Sequence, residues 1–240
     1  MTRHIEFVSH CWNYSRLLTY QLSSLVLHPP RTVSVTATIF LSYDDVKTRR
    51  VIDYFQSIPL PSTVTLFPWH LPNRRLFIRG IGRNLAALTT SAEWIWFTDC
   101  DYVFGAGVFD TLADRLSTVT DDLVYPRRIF QSRTQASGDD YIAAVGEEPR
   151  LVDVRQKDFQ LQRNTRAIGG IQICRGEVAR SRGYLREAPF HDRETTQWQR
   201  CREDVRFRQE LGTSGRAIDL PNVFRLRHGQ RGWQNPKVQL

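Results

Sequence analysis

The stretch from Glu93 to Phe104, EWIWFTDCDYVF, decides how the rest of the chain is read. Trp94, Ile95, Trp96 and Phe97 form an unbroken apolar run. A half-wet strand alternates apolar and polar residues, so a continuous run predicts a central strand covered on both faces. The run passes through Thr98 into two carboxylates, Asp99 and Asp101, separated by Cys100. In open α/β sheets ligands bind beyond the carboxyl ends of the strands, which puts these acids on a crevice. Two acids one residue apart at a bend can turn oxygens toward one hard divalent cation, Mn2+ or Mg2+, whose remaining ligands are waters and phosphate oxygens. A solvated turn after a strand would carry the same pair, and the spacing alone does not separate the two readings.

Upstream, an Arg-Asn step (Arg83, Asn84) opens an amphipathic helix from Arg79 through Leu85 and Leu88, and Ser91 and Ala92 form the turn into the apolar strand. Further back, Ile5 to Ser9 reads as a first strand, with a polar-aromatic turn from Cys11 to Tyr14. A helix from Arg16 to Leu27 follows, with Leu17, Leu18, Leu22, Leu25 and Val26 on one face, and His28, Pro29 and Pro30 end it. A β-branched strand from Val33 to Ser42 ends at Tyr43, Asp44 and Asp45. A helix from Val46 to Ser57 and a strand from Val64 to Phe67 complete the series. Strand and helix in alternation predict an α/β fold with a parallel, doubly wound sheet. A chain of 240 residues is the size of a single such domain.

The net charge is +8, with 30 Arg against 3 Lys, and residues 121–240 hold 22 basic and 16 acidic side chains, or +6 of that +8. Guanidinium pairs with phosphate or carboxylate through two parallel hydrogen bonds, which suits an anionic substrate or surface; a lineage bias toward arginine codons would produce the same count. Cys11, Cys100, Cys174 and Cys201 are scattered and show no zinc-site spacing. They read as reduced thiols in a cytoplasmic protein. The sequence has no apolar run of membrane-spanning length and no secretory leader pattern, so no transmembrane segment is expected.

The Arg-Asn helix followed by a hydrophobic strand ending in Asp-x-Asp resembles the nucleotide-binding half of GT-A fold glycosyltransferases of the family 2 type, over roughly residues 4 to 108. The resemblance implies a single GT-A domain, a Rossmann-like mixed sheet sandwiched by helices, with residues 1–108 as the nucleotide-sugar half and 109–240 as the acceptor half. It also implies inverting, metal-dependent transfer of a sugar from a nucleoside diphosphate sugar, first of all a UDP sugar. On this pattern Ser9 to Asn13 lie beside the base or ribose, and Asp44 or Asp45 accepts a hydrogen bond from the base. An Asp before Val46 is equally suited to cap the following helix. Arg79 and Arg83 would reach the diphosphate, while the start of a helix also carries solvated arginines. Asp99 and Asp101 would hold the metal.

Residues 127–166 are polar, with turn formers in QSRTQASGDD, and read as a long loop. Gly169 and Gly170 precede a short strand, Ile171 to Cys174, in AIGGIQIC, which looks like the acceptor-side segment of inverting members of the family, where glycines let a sugar lie flat against the backbone; a hairpin turn has the same glycines. A helix from Thr195 to Leu211, TTQWQRCREDVRFRQEL, contains Glu203 and Asp204. They match the family's acid pair, in which Asp204 would be the general base and Glu203 would orient a hydroxyl. The bland alternative is an acid pair bridged to Arg200, Arg206 and Arg208. His228 would complete the metal shell by the same resemblance, with Arg231 and Trp233 beyond it for phosphate and ring contacts.

Two acceptors fit. One is a saccharide or glycolipid, reached by peripheral contact with an anionic surface. The other is a hydroxylated base in phage-type DNA, which an arginine-rich face would grip through its phosphates. A different class is a non-catalytic, Arg-rich nucleic-acid-binding protein in which the acids are structural. A nucleotidyltransferase would place a glycine-rich phosphate loop after the first strand, where SHCWNYS (Ser9 to Ser15) has no glycine.

Overall fold

The computed structural model describes residues 3–188, 191, 193–199 and 202–229. Its centre is β1 (His4–His10) paired in parallel with β4 (Trp94–Phe97), in a register that sets Ile5 against Trp94 and Val8 against Phe97. All four residues of β4 are buried, as an apolar run demands of a strand covered on both faces. Burying an aromatic side chain of this size stabilises the fold by roughly 2–3 kcal/mol. The indole of Trp96 also keeps its hydrogen bond, Nε1 donating to the Gly170 carbonyl at 2.9 Å.

On one side of β1 lie β2 (Ser34–Leu41) and β3 (Val64–His70), both parallel to it. Helices α1 (Ser15–Leu27), α2 (Val46–Ser57), the short α3 (Asn73–Leu76) and α4 (Arg79–Thr89) make the connections. On the other side β9 (Gln172–Arg175) runs antiparallel to β4 and to β6 (Leu123–Pro126), and β10 (Arg216–Ile218) closes the edge parallel to β6. The sheet order is β10-β6-β9-β4-β1-β2-β3. The α/β fold expected from the alternation is present, with an antiparallel strand that makes the sheet mixed.

A second sheet of four strands, in the order β5-β11-β7-β8, lies beyond the end of β4. It consists of β5 (Tyr102–Phe104), β7 (Arg128–Ser132), β8 (Phe159–Arg163) and β11 (Val223–Arg225). Three elements of it and of its surroundings, β7, α6 (Gln135–Ala144) and β8, occupy the region read from sequence as a long loop. That reading is corrected. Arg-Ile-Phe-Gln-Ser buries only Ile129 and Ser132 fully, and β8 buries only Phe159, so the apolar period is too faint to register. Helix α6 is announced by a capping box, Thr134 and Ser137 exchanging side-chain and backbone hydrogen bonds, which a search for Glu or Gln at that spacing passes over.

Helices α5 (Val108–Leu116) and α7 (Gly176–Arg182) complete the layers, followed by α8 (Glu203–Glu210). The helix expected over Thr195 to Leu211 is thereby shortened. Residues 193–199 form an extended strap instead, with Thr195 N–H donating to the Arg74 carbonyl and Gln199 N–H to that of Phe77. Trp198 is buried, edge-on to Phe77, so packing against α3 prevails over the helical pattern. Arg200, Arg231 and Trp233 lie outside the described residues.

Candidate active site

The end of β4 is held in a tight turn, with Thr98 N–H donating to the Val8 carbonyl at 3.0 Å and Tyr102 N–H to the Asp99 carbonyl at 3.2 Å. Leu226 N–H then donates to the Asp101 carbonyl at 2.9 Å. Because β5 and β11 pair antiparallel, with Tyr102 opposite Arg225, the late residues Arg225 and His228 arrive at the first acidic turn. The result is an open cleft lined by Asp99, Asp101, Arg225 and His228. Arg79, His10, Tyr14 and Trp198 line it from other elements.

The structure divides the Asp-x-Asp pair. Asp99 Oδ1 receives Arg79 at 3.2 Å and Arg83 at 3.1 Å. Burial alone would raise the Asp99 carboxyl, but Arg79 and Arg83, with Arg225 behind them, hold it down at about 2. Asp99 Oδ1 is therefore shared by two guanidinia, and both contacts fall on that one oxygen. Asp101 is different. Its Oδ2 accepts from Arg225 Nε at 2.9 Å, while its Oδ1 is buried without a hydrogen-bond partner.

His228 is the nearest second donor, its Nε2 3.9 Å from Asp101 Oδ2. The ring sits edge-on to Tyr14, and its Nδ1 lies 2.9 Å from the Gly229 carbonyl. A carbonyl can only accept, so the proton belongs on Nδ1, and Nε2 offers a lone pair toward the carboxylate. A carboxylate with one oxygen unpartnered, and an imidazole nitrogen 3.9 Å from its other oxygen, fit a divalent cation that takes the rest of its shell from water and phosphate. Among the described residues no three His, Cys, Asp or Glu side chains gather into a closed metal cage.

Arg83 departs from its expected role. It is 1% exposed, with Nη1 donating to the Tyr184 hydroxyl at 3.1 Å and Nη2 to the Thr98 carbonyl at 3.3 Å as well as to Asp99. A guanidinium so enclosed does not reach a diphosphate in the cleft. Arg79 does line the cleft, and its Nε is also 3.2 Å from Glu203 Oε1, an ion pair without hydrogen-bond alignment. Arg79 thus joins the two acid pairs of the sequence, Asp99 and Glu203, through one cation.

Asp204, at the start of α8, has its Oδ2 on the Gly169 N–H at 3.0 Å. Gly169 adopts a left-handed φ of +50, which turns that N–H outward to the acid. At Gly170 a Cβ would come within 2.5 Å of the Tyr102 ring and 3.0 Å of the Asp99 nitrogen, so this turn is packed against the Asp-x-Asp turn. A buried relay continues the contact: Tyr184 donates to Gln172 Oε1 at 2.8 Å, and Gln172 Nε2 donates to the Asp204 carbonyl at 3.1 Å.

The other expected residues lie elsewhere. Asp45 caps α2, with Oδ1 accepting from Thr48 N at 3.1 Å and Oδ2 from Asn13 N at 2.7 Å. Of the two readings open for it, the helix cap is the one realised, and Asn13, at a φ of +59, is bound to it by its backbone. Asp44 is exposed and accepts from Asn73 Nδ2 at 2.6 Å. Ser9 is fully buried in β1 with its hydroxyl unpartnered.

Within the stretch Ser9 to Asn13, the residue on β1 that was not singled out is His10. It lines the cleft, stacks on Phe40 at 4.9 Å, and neither ring nitrogen has a partner. Burial, then Arg83 and Arg79, push its proton affinity well below the ordinary range, so the ring is neutral. The available signal was its place as the last residue of the first strand, where open sheets present ligand-facing groups.

No family model and no curated protein sequence matches the chain. Solved structures do match. S. aureus TarS 1-349 aligns at a TM-score of 0.56 and 11% identity, over 92% of this chain and 60% of that one. Its complex with UDP aligns at 0.58 and 14%, and another with UDP-GlcNAc at 0.56 and 12%. The mannosyltransferase PcManGT from Pyrobaculum calidifontis, in complex with GDP-Man and Mn2+, aligns at 0.55 and 13%, over 94% of this chain and 57% of that one. The chain has the GT-A glycosyltransferase fold. It spans about 60% of the length of the TarS 1-349 structures it matches. Among its described residues, no helix is long and apolar enough to cross a membrane.

Proposed function

We propose that this GT-A domain is an inverting, metal-dependent glycosyltransferase that moves a sugar from a nucleoside diphosphate sugar, first of all a UDP sugar, to an acceptor hydroxyl. The observation that carries the reading is the cleft at the end of β4, where Asp101 keeps a buried Oδ1 without a hydrogen-bond partner among the described residues and has its Oδ2 3.9 Å from His228 Nε2. That the neighbours sharing the fold were solved with UDP, UDP-GlcNAc and GDP-Man with Mn2+ supports the choice of donor.

Charge supports the metal. Arg79 and Arg225 are matched in the cleft by Asp99 and Asp101, leaving about no net charge for a diphosphate. A divalent cation held by Asp101 and His228 would neutralise the departing diphosphate. Arg79 is the residue of the helix placed to contact that group, its direction set by Asp99 and Glu203. Asp204 takes the proton of the attacking hydroxyl in this reading, with Gly169 N–H fixing one of its oxygens. Glu203, buried beside Arg79, orients rather than reacts.

A saccharide or glycolipid acceptor is favoured over DNA by one feature of the surface. Arg127 and Arg128 pair with Asp219, Arg155 with Asp158, Arg175 with Asp122, and Arg216 with Asp121. These exposed pairs compensate part of the arginine charge of residues 121–240 locally.

Purified protein with Mn2+ and a panel of UDP, GDP, TDP and CMP sugars tests the reading by release of free nucleotide. Slow hydrolysis of one donor, reduced at least about a hundredfold in Asp204→Asn, is the expected result. No release from any donor, with salt-sensitive DNA binding in its place, would overturn it.

A further inference from the structure

The charged groups of the cleft are paired with one another, but two neutral polar side chains in it are not. Trp198 Nε1 is buried without an acceptor, on a side chain 7% exposed that reaches the cleft from the strap 193–199. His10, at the end of β1, is 4% exposed, and both of its ring nitrogens are buried without partners. A buried polar group left unpaired is costly, and native structures seldom keep one without a reason such as a ligand that satisfies it.

Both side chains are held in place by packing and not by hydrogen bonds. Trp198 rests edge-on against Phe77 at 5.5 Å, and Phe77 in turn rests edge-on against Trp12. His10 is stacked on Phe40 and presses its Nε2 edge against Gly82, where a Cβ would come within 2.2 Å. The strap that carries Trp198 is tied to α3 by backbone hydrogen bonds and by the Arg74–Glu194 ion pair at 3.3 Å. The two groups are therefore preorganised, as a binding site requires.

Resting on the transferase reading above, we infer that His10 and Trp198 form a neutral recognition pair for a hydroxyl-bearing ring of the donor. The indole N–H can only donate, and the imidazole, whose Nε2 edge is turned to Gly82, keeps Nδ1 as the nitrogen that can accept. A sugar hydroxyl is donor and acceptor at once, so the pair suits a polyol ring, whereas a phosphate offers only acceptors. Such a ring enters with the donor from two sources, the ribose or the transferred sugar.

The test measures binding by calorimetry with Mn2+ present, for wild type, His10→Phe and Trp198→Phe. The probes are UDP and GDP alone, UDP-GlcNAc, UDP-glucose and GDP-Man. Both substitutions keep an aromatic ring in its packing and remove only the polar edge; melting temperatures within a few degrees of wild type confirm the fold. The expected result is a roughly tenfold or greater loss of affinity for the nucleotide sugar that wild type binds. Equal loss for the bare diphosphate assigns the pair to the ribose, and unchanged diphosphate affinity assigns it to the transferred sugar. Affinities equal to wild type for every probe in both folded variants would overturn the pair while leaving the transferase reading intact. No binding of any probe by wild type would overturn both.

Discussion

The molecule carries two adjacent acid pairs, Asp99 with Asp101 after β4 and Glu203 with Asp204 at the start of α8, and each is split in the same way. One member of each pair touches Arg79: Asp99 at 3.2 Å and Glu203 at 3.2 Å. The other member keeps a different environment. Asp101 has an oxygen without a partner, and Asp204 is held by a single backbone N–H from Gly169. Arg79 ties one member of each pair into the scaffold, while Asp101 pairs with Arg225 and Asp204 with the Gly169 backbone. Spacing in the sequence does not distinguish the two kinds, because the partners that separate them come from elements up to 124 residues away.

The comparison breaks most visibly at Arg83. Arg83→Met leaves Asp99 buried with one guanidinium fewer and unpairs the Tyr184 hydroxyl, so a loss of about 3–5 kcal/mol in urea unfolding is expected. A loss below about 1 kcal/mol would mean that Arg83 is not part of the scaffold. Gly82→Ala comes next, because the added Cβ meets His10 Nε2 and the Phe40 ring. It should cost about 1–3 kcal/mol, and His10→Ala in the same chain should recover part of that. An additive double variant would show that the two residues are not in contact.

His10 also gives a pH dependence whose sign is fixed. Its folded affinity for a proton lies well below the ordinary 6.5, so the unfolded chain takes up a proton that the folded one refuses. The contribution is complete above the unfolded value and declines as pH falls below it. Melting temperatures at pH 7.5 and 5.5 should therefore drop less in His10→Phe than in wild type, and parallel drops would contradict a buried neutral ring. The smallest expected effect is at Asp45. Asp45→Ala removes a helix cap worth about 0.5–2 kcal/mol and should leave the donor KM within about twofold. A large rise in KM would return Asp45 to base recognition.

Much of the fold was legible because its signals are local. The apolar run Trp94 to Phe97 named the central strand, and the alternation before it named the parallel half of the sheet. The second sheet was not legible, since β5, β7, β8 and β11 are three to five residues long and pair across the chain, with Phe224 facing Phe130. Of the site, Asp99, Asp101, Arg79 and His228 were each named from sequence, and all four line the cleft. Arg83 and Asp45 were read by residue type, and only burial reveals that one is sealed and the other caps a helix. His10 falls in the Ser9 to Asn13 stretch without being singled out, and Trp198 belongs to no motif. They stand out through hydrogen bonds they lack, a property that exists only in three dimensions.

The most direct test of this division is Mn2+ binding in the presence of UDP, followed by electron paramagnetic resonance, in wild type, Asp101→Asn and Asp45→Asn. The account predicts that Asp101→Asn weakens the ion by about tenfold or more while Asp45→Asn leaves it unchanged. Mn2+ held as tightly by Asp101→Asn as by wild type would contradict the assignment of the working acid.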